Sequence, residues 1–220
     1  MNTKPGIIGT KLGMTQLYKE DGTVQRVTVI DTSSVVVVGK RTKEKDGYTA
    51  LVLGMNDAKE KHLTKAQAGS FKKANVPAKR VVREIRCDEE FLGKFEIGAA
   101  PNLAEIFEVG QTVDAQGKTR GRGFSGVVRR WSFAGFVATH GTHEYRRHGG
   151  SIGTNMTPGR TLPNLKMPGQ YGNEVVSVQN LKVARVDAEK GLLLVEGGIP
   201  GPKNQLVTVR HGVKKKIYRH

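Results

Sequence analysis

The sequence has very little cysteine: Cys87 is the single thiol among 220 residues. One thiol cannot build a disulfide framework or a zinc site with several cysteine ligands, and this scarcity is typical of proteins from a reducing compartment. We therefore expect a cytoplasmic protein. Cys87 is also a poor candidate nucleophile, because the neighbouring carboxylates of Asp88, Glu89 and Glu90 raise the pKa of a thiol.

Long apolar runs are absent as well. No stretch of about 18 apolar residues occurs, so we expect neither a membrane-spanning helix nor a membrane partner. The first residues, MNTKPGIIGTKLGMTQ, lack the apolar segment of a secretory leader. The hydrophobic fraction is 37%, which is low for a globular domain but sufficient for one core.

Acidic residues are scarce relative to basic ones. Lys and Arg total 36 and Asp and Glu total 20, so the formal net charge is +16 at pH 7. Solubility alone needs a net charge of about 2–8 in a small domain. An excess of this size favours an anionic partner, and nucleic acid is the commonest one. A charge that serves only solubility is the alternative.

The positive charge is concentrated in residues 117–172. This segment carries nine basic side chains and one acidic one, Glu144, whereas residues 1–116 have a net charge of +3 and residues 173–220 a net charge of +5. The segment is rich in glycine and shows neither helical nor strand periodicity. Its few apolar side chains cannot offset its ordering entropy, so we expect it to become ordered only on an anionic partner. Residues 214–216 add a short basic tail.

The flanking segments carry the signals of a β-fold. Short runs rich in β-branched residues, separated by turns with Gly, Pro or Asp, are typical of barrels and sandwiches. One helix is predicted at 64–74, with Thr64 as its N-cap. We therefore predict a mainly β chain in which residues 1–116 and 173–220 form one discontinuous core, and residues 117–172 are an extension from it. The predicted strands are 24–31, 34–38, 48–53, 81–86, 175–186, 191–196 and 205–210.

Residues 121–126 (GRGFSG) satisfy the G-x-G-x-x-G pattern of dinucleotide-binding loops. That use requires a strand before the loop and a helix after it, and residues 112–118 (TVDAQGK) do not resemble a continuous buried strand. We favour a loop whose backbone approaches phosphates while Lys118, Arg120 and Arg122 neutralise them. A nucleotide-dependent enzyme that modifies RNA is the alternative.

Three histidines, His140, His143 and His148, fall within nine residues of one another. Such spacing could hold zinc, which would support a metal-dependent RNA-modifying enzyme. Glu144 is the only carboxylate nearby, so we favour rings that stack on bases or reach phosphates. Four aromatic residues are interleaved with the basic side chains, and the first three of them could instead pack on the β-core: Trp131, Phe133, Phe136 and Tyr145.

Residues 107–130, FEVGQTVDAQGKTRGRGFSGVVRR, resemble the signature of the bacterial large-subunit ribosomal protein three family, the universal uL3 family. The family pattern places an acidic residue, Ser or Thr, Gly-basic-Gly and a final Arg where this chain has Asp114, Thr119, residues 121–123 and Arg130. The stretches GIIGTKLGMTQLY, RRWSF, ATHG, GSIG, TPGR, MPGQYGNE and VQNLKVARVDAEKGLLLVEGGIPG also resemble the family, in family order.

The resemblance implies a translation-protein-type β-barrel and a long extension that enters 23S rRNA toward the peptidyl-transferase centre. It also implies binding near the 3′ end of that RNA early in subunit assembly, beside ribosomal proteins fourteen and nineteen. Residues 150–159 would reach deepest. Some members carry an N-methylated glutamine where this chain has Met156, which has no amide nitrogen to methylate.

We therefore predict a structural constituent of the large ribosomal subunit in the cytoplasm, not an enzyme, with no cofactor, no metal and no small-molecule substrate. A free-standing, basic RNA-binding assembly factor is the alternative. The predicted RNA-binding residues all lie in the extension: Lys118, Arg120, Gly121, Arg122, Gly123, Arg129, Arg130, Trp131, His140, His143, Arg146, Arg147, His148, Asn155, Met156, Arg160 and Lys166.

Overall fold

The structure is a computed structural model that describes residues 3–214, without the side chain of Glu60. Lys215 and Lys216 of the basic tail therefore lie outside the described residues. Eleven strands are found in this part of the chain: β1 (Gly6–Tyr18), β2 (Val24–Asp31), β3 (Val36–Arg41), β4 (Ala50–Asp57), β5 (Lys79–Arg86), β6 (Thr112–Lys118), β7 (Phe124–Ser125), β8 (Gly169–Gln170), β9 (Val175–Asp187), β10 (Leu192–Glu196) and β11 (Leu206–His211).

The helices are short. α2, with ten residues, is the longest among the described residues, and two 3-10 turns cover Glu60–His62 and His143–Arg147. No helix within residues 3–214 is long and apolar enough to cross a membrane. The α-helices are α1 (Lys43–Asp46), α2 (Lys65–Ala74), α3 (Glu89–Gly93), α4 (Leu103–Ile106) and α5 (Val127–Trp131).

Six strands close into a barrel in the order β1-β11-β6-β9-β10-β2, with every neighbouring pair antiparallel. Alternating side chains fill its interior, as expected of a strand with one buried face. Val113 and Ala115 of β6 are fully buried, as are Val207 and Val209 of β11. The predicted fold class, a mainly β chain built on a barrel, is confirmed.

A second sheet, β3-β4-β5, accompanies the barrel in the larger part of the chain. Its central strand β4 pairs with β3 and β5 on its two edges, and its first six residues are buried. Helix α2 follows β4 and begins at a capping box. The Thr64 hydroxyl accepts from the Gln67 amide, and the Gln67 side chain accepts from the Thr64 amide. This arrangement satisfies two of the free donors at a helix start, and it confirms the predicted helix.

Strand β1 was not predicted from the sequence. It pairs with β11 through its first half and with β2 through its second half, which is largely exposed. Gly9 is required where β1 crosses β2, because a Cβ there would lie 2.5 Å from Ile30 Cγ2. The turn predicted from residues 20–22 is present, with the Gly22 amide donating to the Lys19 carbonyl at 2.9 Å.

The chain divides into two compact units. The larger unit comprises Met1–Lys118 and Val175–His220, and the smaller unit comprises Thr119–Glu174. The predicted extension, residues 117–172, differs from the smaller unit by two residues at each end, because Gly117 and Lys118 continue strand β6. The smaller unit contains β7, α5, a 3-10 turn and β8, so local structure is present where no periodicity predicted it.

Candidate nucleic-acid interface

The smaller unit begins and ends as two antiparallel segments. The Thr119 amide donates to the Glu174 carbonyl at 2.8 Å, and the Asn173 amide donates to the Thr119 carbonyl at 3.2 Å. Further on, the Arg122 amide donates to the Tyr171 carbonyl at 2.9 Å, and β7 pairs with β8. Backbone hydrogen bonds therefore hold together the two ends of a segment that is otherwise poor in core-forming side chains.

Gly172 makes this close approach possible. Its φ is +68°, a conformation that L side chains rarely adopt, and a Cβ at this position would collide with the carbonyl oxygen of Arg120. Beside it, the Arg122 guanidinium lies 5.1 Å from the centre of the Tyr171 ring, within range of a cation–π contact. Tyr171 thus orients Arg122, a predicted RNA-binding residue. The role of Tyr171 was not predicted from the sequence, because the two residues lie far apart in the chain.

Helix α5 is tied to the returning chain through one carbonyl group. Arg130 Nη1 and Trp131 Nε1 both donate to the Met167 carbonyl oxygen, at 2.9 Å and 2.8 Å. The Arg130 guanidinium also lies 4.9 Å from the indole ring, and the Lys166 ammonium lies 5.9 Å from it. Gly169 leaves room for this arrangement, since a Cβ there would lie 2.6 Å from Arg130 Nη1. Arg130 and Trp131 therefore stabilise the smaller unit itself.

Three rings of the smaller unit, including one imidazole, form a local cluster. Phe136 and Tyr145 meet edge-to-face at 6.3 Å, and Tyr145 and His148 lie 4.8 Å apart. The buried core of the larger unit does not include Phe133 or Phe136, and Phe136 instead contacts Tyr145 within the smaller unit. Phe136 and Tyr145 of this cluster line an open cavity of about 360 Å³ together with His140. Its rings are accessible for stacking.

The loop at 150–159 holds its shape through short-range hydrogen bonds. The Ser151 hydroxyl donates to the Gly153 carbonyl at 2.9 Å, and the Thr154 hydroxyl donates to the Thr157 carbonyl at 2.8 Å. Met156 projects from it with 88% of its surface exposed. A long apolar side chain held in water at a loop tip gains free energy when a partner covers it.

The predicted RNA-binding residues are exposed, with Arg130 the one exception because it is half-buried. Lys118 is the last residue of β6 in the larger unit, and the others lie in the smaller unit. The ion pairs found among the described side chains join Arg41 to Asp46 and Glu84, and Lys79 to Asp57, all in the larger unit. Within residues 3–214, no cation of the smaller unit is neutralised by such a pair.

The glycine loop at 121–126 has a strand before it, β6, and a helix after it, α5. Strand β6 is buried at alternate residues only, so the expectation that residues 112–118 do not form a continuous buried strand is confirmed. Strand β6 was not predicted, because the small residues Ala115 and Gly117 on its buried face give little hydrophobic signal. However, β6 is antiparallel to both of its neighbours and α5 has only five residues. This geometry differs from a βαβ dinucleotide site, which needs parallel strands and a long crossover helix.

The remaining candidate sites are the histidine group and the thiol of Cys87. In the part of the chain that the structure describes, no group of three or more His, Cys, Asp or Glu is arranged to hold a metal ion. The Cys87 thiol is buried in the core of the larger unit. Burial is the main cause that raises its pKa, and the charge of Asp88 adds to it, so the neighbouring carboxylate is the smaller effect.

The family model for ribosomal protein L3 matches residues 61–192. A curated protein from Sorangium cellulosum, "Large ribosomal subunit protein uL3", is 63% identical over 216 residues, covering 98% of this chain and 93% of the relative. The chain belongs to the ribosomal protein L3 family. Proteins of the same name from Myxococcus xanthus and Magnetococcus marinus are 50% and 47% identical, covering 95% and 96% of this chain and 93% and 98% of the relatives.

The L3 family match at residues 61–192 includes the whole of the smaller unit and most of the stretches on which the resemblance was based. The structure separates the predicted residues into those that stabilise the smaller unit and those that are exposed. Arg130, Trp131 and Lys166 meet at the Met167 carbonyl and the indole ring. The remaining basic side chains of the smaller unit present their charge to the surroundings.

Proposed function

We propose that this chain is a primary 23S rRNA-binding protein that nucleates assembly of the large ribosomal subunit. Its smaller unit, together with Gly117 and Lys118, would extend into the RNA toward the peptidyl-transferase centre. As a member of the ribosomal protein L3 family, the chain is a structural protein of the large subunit in cytoplasmic ribosomes, and not an enzyme.

One observation carries the proposal: apart from half-buried Arg130, the arginines of the smaller unit are exposed, and none of them forms an ion pair among the described side chains. Arg120, Arg129, Arg146, Arg147 and Arg160 are all exposed. Arginine presents a planar fork of donors that matches phosphate oxygens and can also stack on bases. Densely folded RNA repels itself through its phosphates, and a chain with this charge stabilises it by releasing condensed counterions.

The proposed mode of recognition is by shape and backbone. The Phe136, Tyr145 and His148 cluster offers ring faces and edges to unpaired bases, and Met156 at the loop tip offers an apolar contact. RNA is recognised in this way at loops, bulges and ends, where bases leave their stacks. Binding near the 3′ end of 23S rRNA, and contact with ribosomal proteins fourteen and nineteen, complete the proposal and rest on the resemblance of the chain to its family.

The test is the salt dependence of binding between the full chain and 23S rRNA fragments. If about 6–10 phosphates are contacted, the logarithm of the binding constant should fall with the logarithm of salt concentration with a slope of several units. The triple variant R146Q/R147Q/R160Q should lower that slope by about 2–3 units, because each lost phosphate contact removes slightly less than one unit. A slope that the variant leaves unchanged contradicts the proposal.

A deletion of residues 140–165 tests the assembly role separately. We expect the larger unit to keep its circular dichroism spectrum, because its barrel strands lie outside the deleted segment. Reconstitution of large subunits, or their peptidyl-transferase activity, should be impaired. If subunits form and act normally with the shortened chain, the smaller unit has no part in assembly.

A further inference from the structure

The connection between β4 and β5 carries a second concentration of positive charge, in the larger unit. Residues 57–80 contain seven basic and two acidic side chains. Residues 1–116 as a whole have 18 basic and 15 acidic side chains. The net charge of that range therefore does not reveal the excess of basic side chains in this connection. It consists of the 3-10 turn Glu60–His62, helix α2 and the loop that leads to β5.

This connection surrounds a cavity of about 500 Å³, lined by Asp57, Ala58, Lys59, Lys61, His62 and Arg80. We call it the lysine groove. The backbone fixes its walls: the Ala58 amide donates to the Ala78 carbonyl at 2.8 Å, which extends the pairing of β4 with β5. The His62 amide donates to the Lys59 carbonyl at 2.9 Å and closes the turn. These bonds fix the backbone from which the exposed side chains of Lys59, Lys61 and Arg80 extend.

Among the described side chains that line the groove, Asp57 is the carboxylate, and it is paired. Asp57 accepts from the ammonium group of Lys79 at 2.8 Å, and Lys79 is buried with 8% of its side chain exposed. Lys59, Lys61 and Arg80 are exposed, and no ion pair among the described side chains neutralises them. The groove thus presents three exposed cations, and Asp57, the described carboxylate in its lining, pairs with a fourth.

The composition of the groove favours RNA over a protein partner. Protein interfaces are depleted in lysine at their centre and are anchored by buried aromatic or large apolar side chains. None of the large apolar side chains that are exposed among the described residues lies in residues 57–80. Lysine binds phosphate as a point charge, without the directional fork that reads bases. An RNA backbone that passes through the groove would place its phosphates beside the lysine and arginine cations that neutralise them.

We propose that the lysine groove is a second docking site for the RNA phosphate backbone, on the larger unit and independent of the smaller one. This inference rests on the proposed function in one respect, that the partner is 23S rRNA. It adds that the chain binds the RNA at two separate sites, the lysine groove and the smaller unit. The groove contributes affinity without base specificity, because phosphate contacts fix position and do not read sequence.

The experiment compares three triple variants of the full chain in binding 23S rRNA across a range of salt concentrations. The groove variant is K59Q/K61Q/R80Q, and the variant of the smaller unit is R146Q/R147Q/R160Q. The matched control is K43Q/K45Q/K94Q, which removes three exposed charges from the same unit as the groove. Circular dichroism verifies that all of them fold, and K59R/K61R/R80K tests whether charge alone restores binding.

We expect the groove variant to lower the salt slope by about 2–3 units, the control to change it by less than one unit, and the charge-preserving variant to restore it. A slope that the groove variant leaves unchanged overturns the inference, and is the result expected of a groove that binds an acidic protein. If R146Q/R147Q/R160Q still lowers the slope in that case, the proposed function stands. If the groove variant alone lowers it, the proposed role of the smaller unit fails and the groove remains.

Discussion

The indole N–H of Trp131 donates a hydrogen bond of 2.8 Å to the carbonyl oxygen of Met167, which lies 36 residues further along the chain. The same oxygen accepts from Arg130. Two side chains on one short helix therefore hold a backbone group on the returning segment, close to the pairing of β7 with β8. Trp131 was expected to contact RNA, and its donor group instead stabilises the unit that presents the other residues.

Replacing Trp131 with Phe should loosen this connection. A hydrogen bond contributes about 1 kcal/mol net, so local opening should become about fivefold more frequent. Hydrogen exchange measured by mass spectrometry should be faster in peptides that cover β7 and β8, and unchanged in β10 of the larger unit. Leu162→Ala, an exposed change in the same unit, is the control and should leave exchange as it is. Equal exchange in wild type and Trp131→Phe would refute this role.

Gly172→Ala should separate the two segments at the base of the smaller unit. The substitution meets a left-handed φ, which costs about 1–2 kcal/mol for a residue with a Cβ, and a collision with the Arg120 carbonyl in addition. Gly123→Ala is the matched control, because Gly123 has a φ of +63° but open space around it.

The measurement is the exchange rate of the Arg122 and Tyr171 amides, which bond across these two segments. We expect both substitutions to reduce protection, and Gly172→Ala to reduce it by about tenfold more, since only it adds a steric clash. Similar losses in the two variants would mean that the close approach to Arg120 is unimportant.

Cys87 should make the stability of the larger unit depend on pH in the alkaline range. Burial raises the pKa of the thiol in the folded state above its value in the unfolded chain. The folded protein therefore keeps a proton that the unfolded chain loses above about pH 8.5. Above that pH the unfolded state binds fewer protons than the folded state. The free energy of unfolding therefore falls as pH rises from about 8.5 through the pKa of the folded thiol. Below about pH 8.5 the stabilisation by the protonated thiol is fully present.

Urea unfolding under reducing conditions at pH 7.5 and pH 9.5 tests this expectation. Cys87→Ala removes the thiol, so the variant should lose less stability than the wild type between the two pH values, whatever other groups titrate in both proteins. The variant should be less stable at pH 7.5, because it leaves a small cavity in the core. An identical pH dependence in the two proteins would show that Cys87 does not titrate in this way.

The strands of the barrel could be predicted where one face is strongly apolar. β2 was predicted with the bounds that the structure shows, and the helix cap at Thr64 followed from a side-chain pattern that acts locally. β1 and β6 were missed for a physical reason. Their positions in the sheet depend on partners on both edges, and β6 buries small residues such as Ala115 and Gly117 that give little hydrophobic signal.

The composition of the candidate interface was predictable, but its internal contacts were not. A net charge and a lack of acidic residues can be read along the chain, because they do not depend on the fold. The acceptor of Trp131 is a backbone carbonyl, which every residue possesses, so no sequence pattern indicates it. The lysine groove escaped notice because Lys59 and Arg80 are brought together only by the pairing of β4 with β5.

The register that pairs Lys118 with Val175 has a topological consequence. Because β6 and β9 are hydrogen-bonded neighbours, the 56 residues of Thr119–Glu174 are, for the barrel, nothing more than a hairpin turn of unusual length. Lengthening a turn from about four residues to this size adds only about 2 kcal/mol of closure entropy. We therefore expect the barrel to tolerate insertion, trimming or exchange of the whole segment at the point where β6 ends and β9 begins.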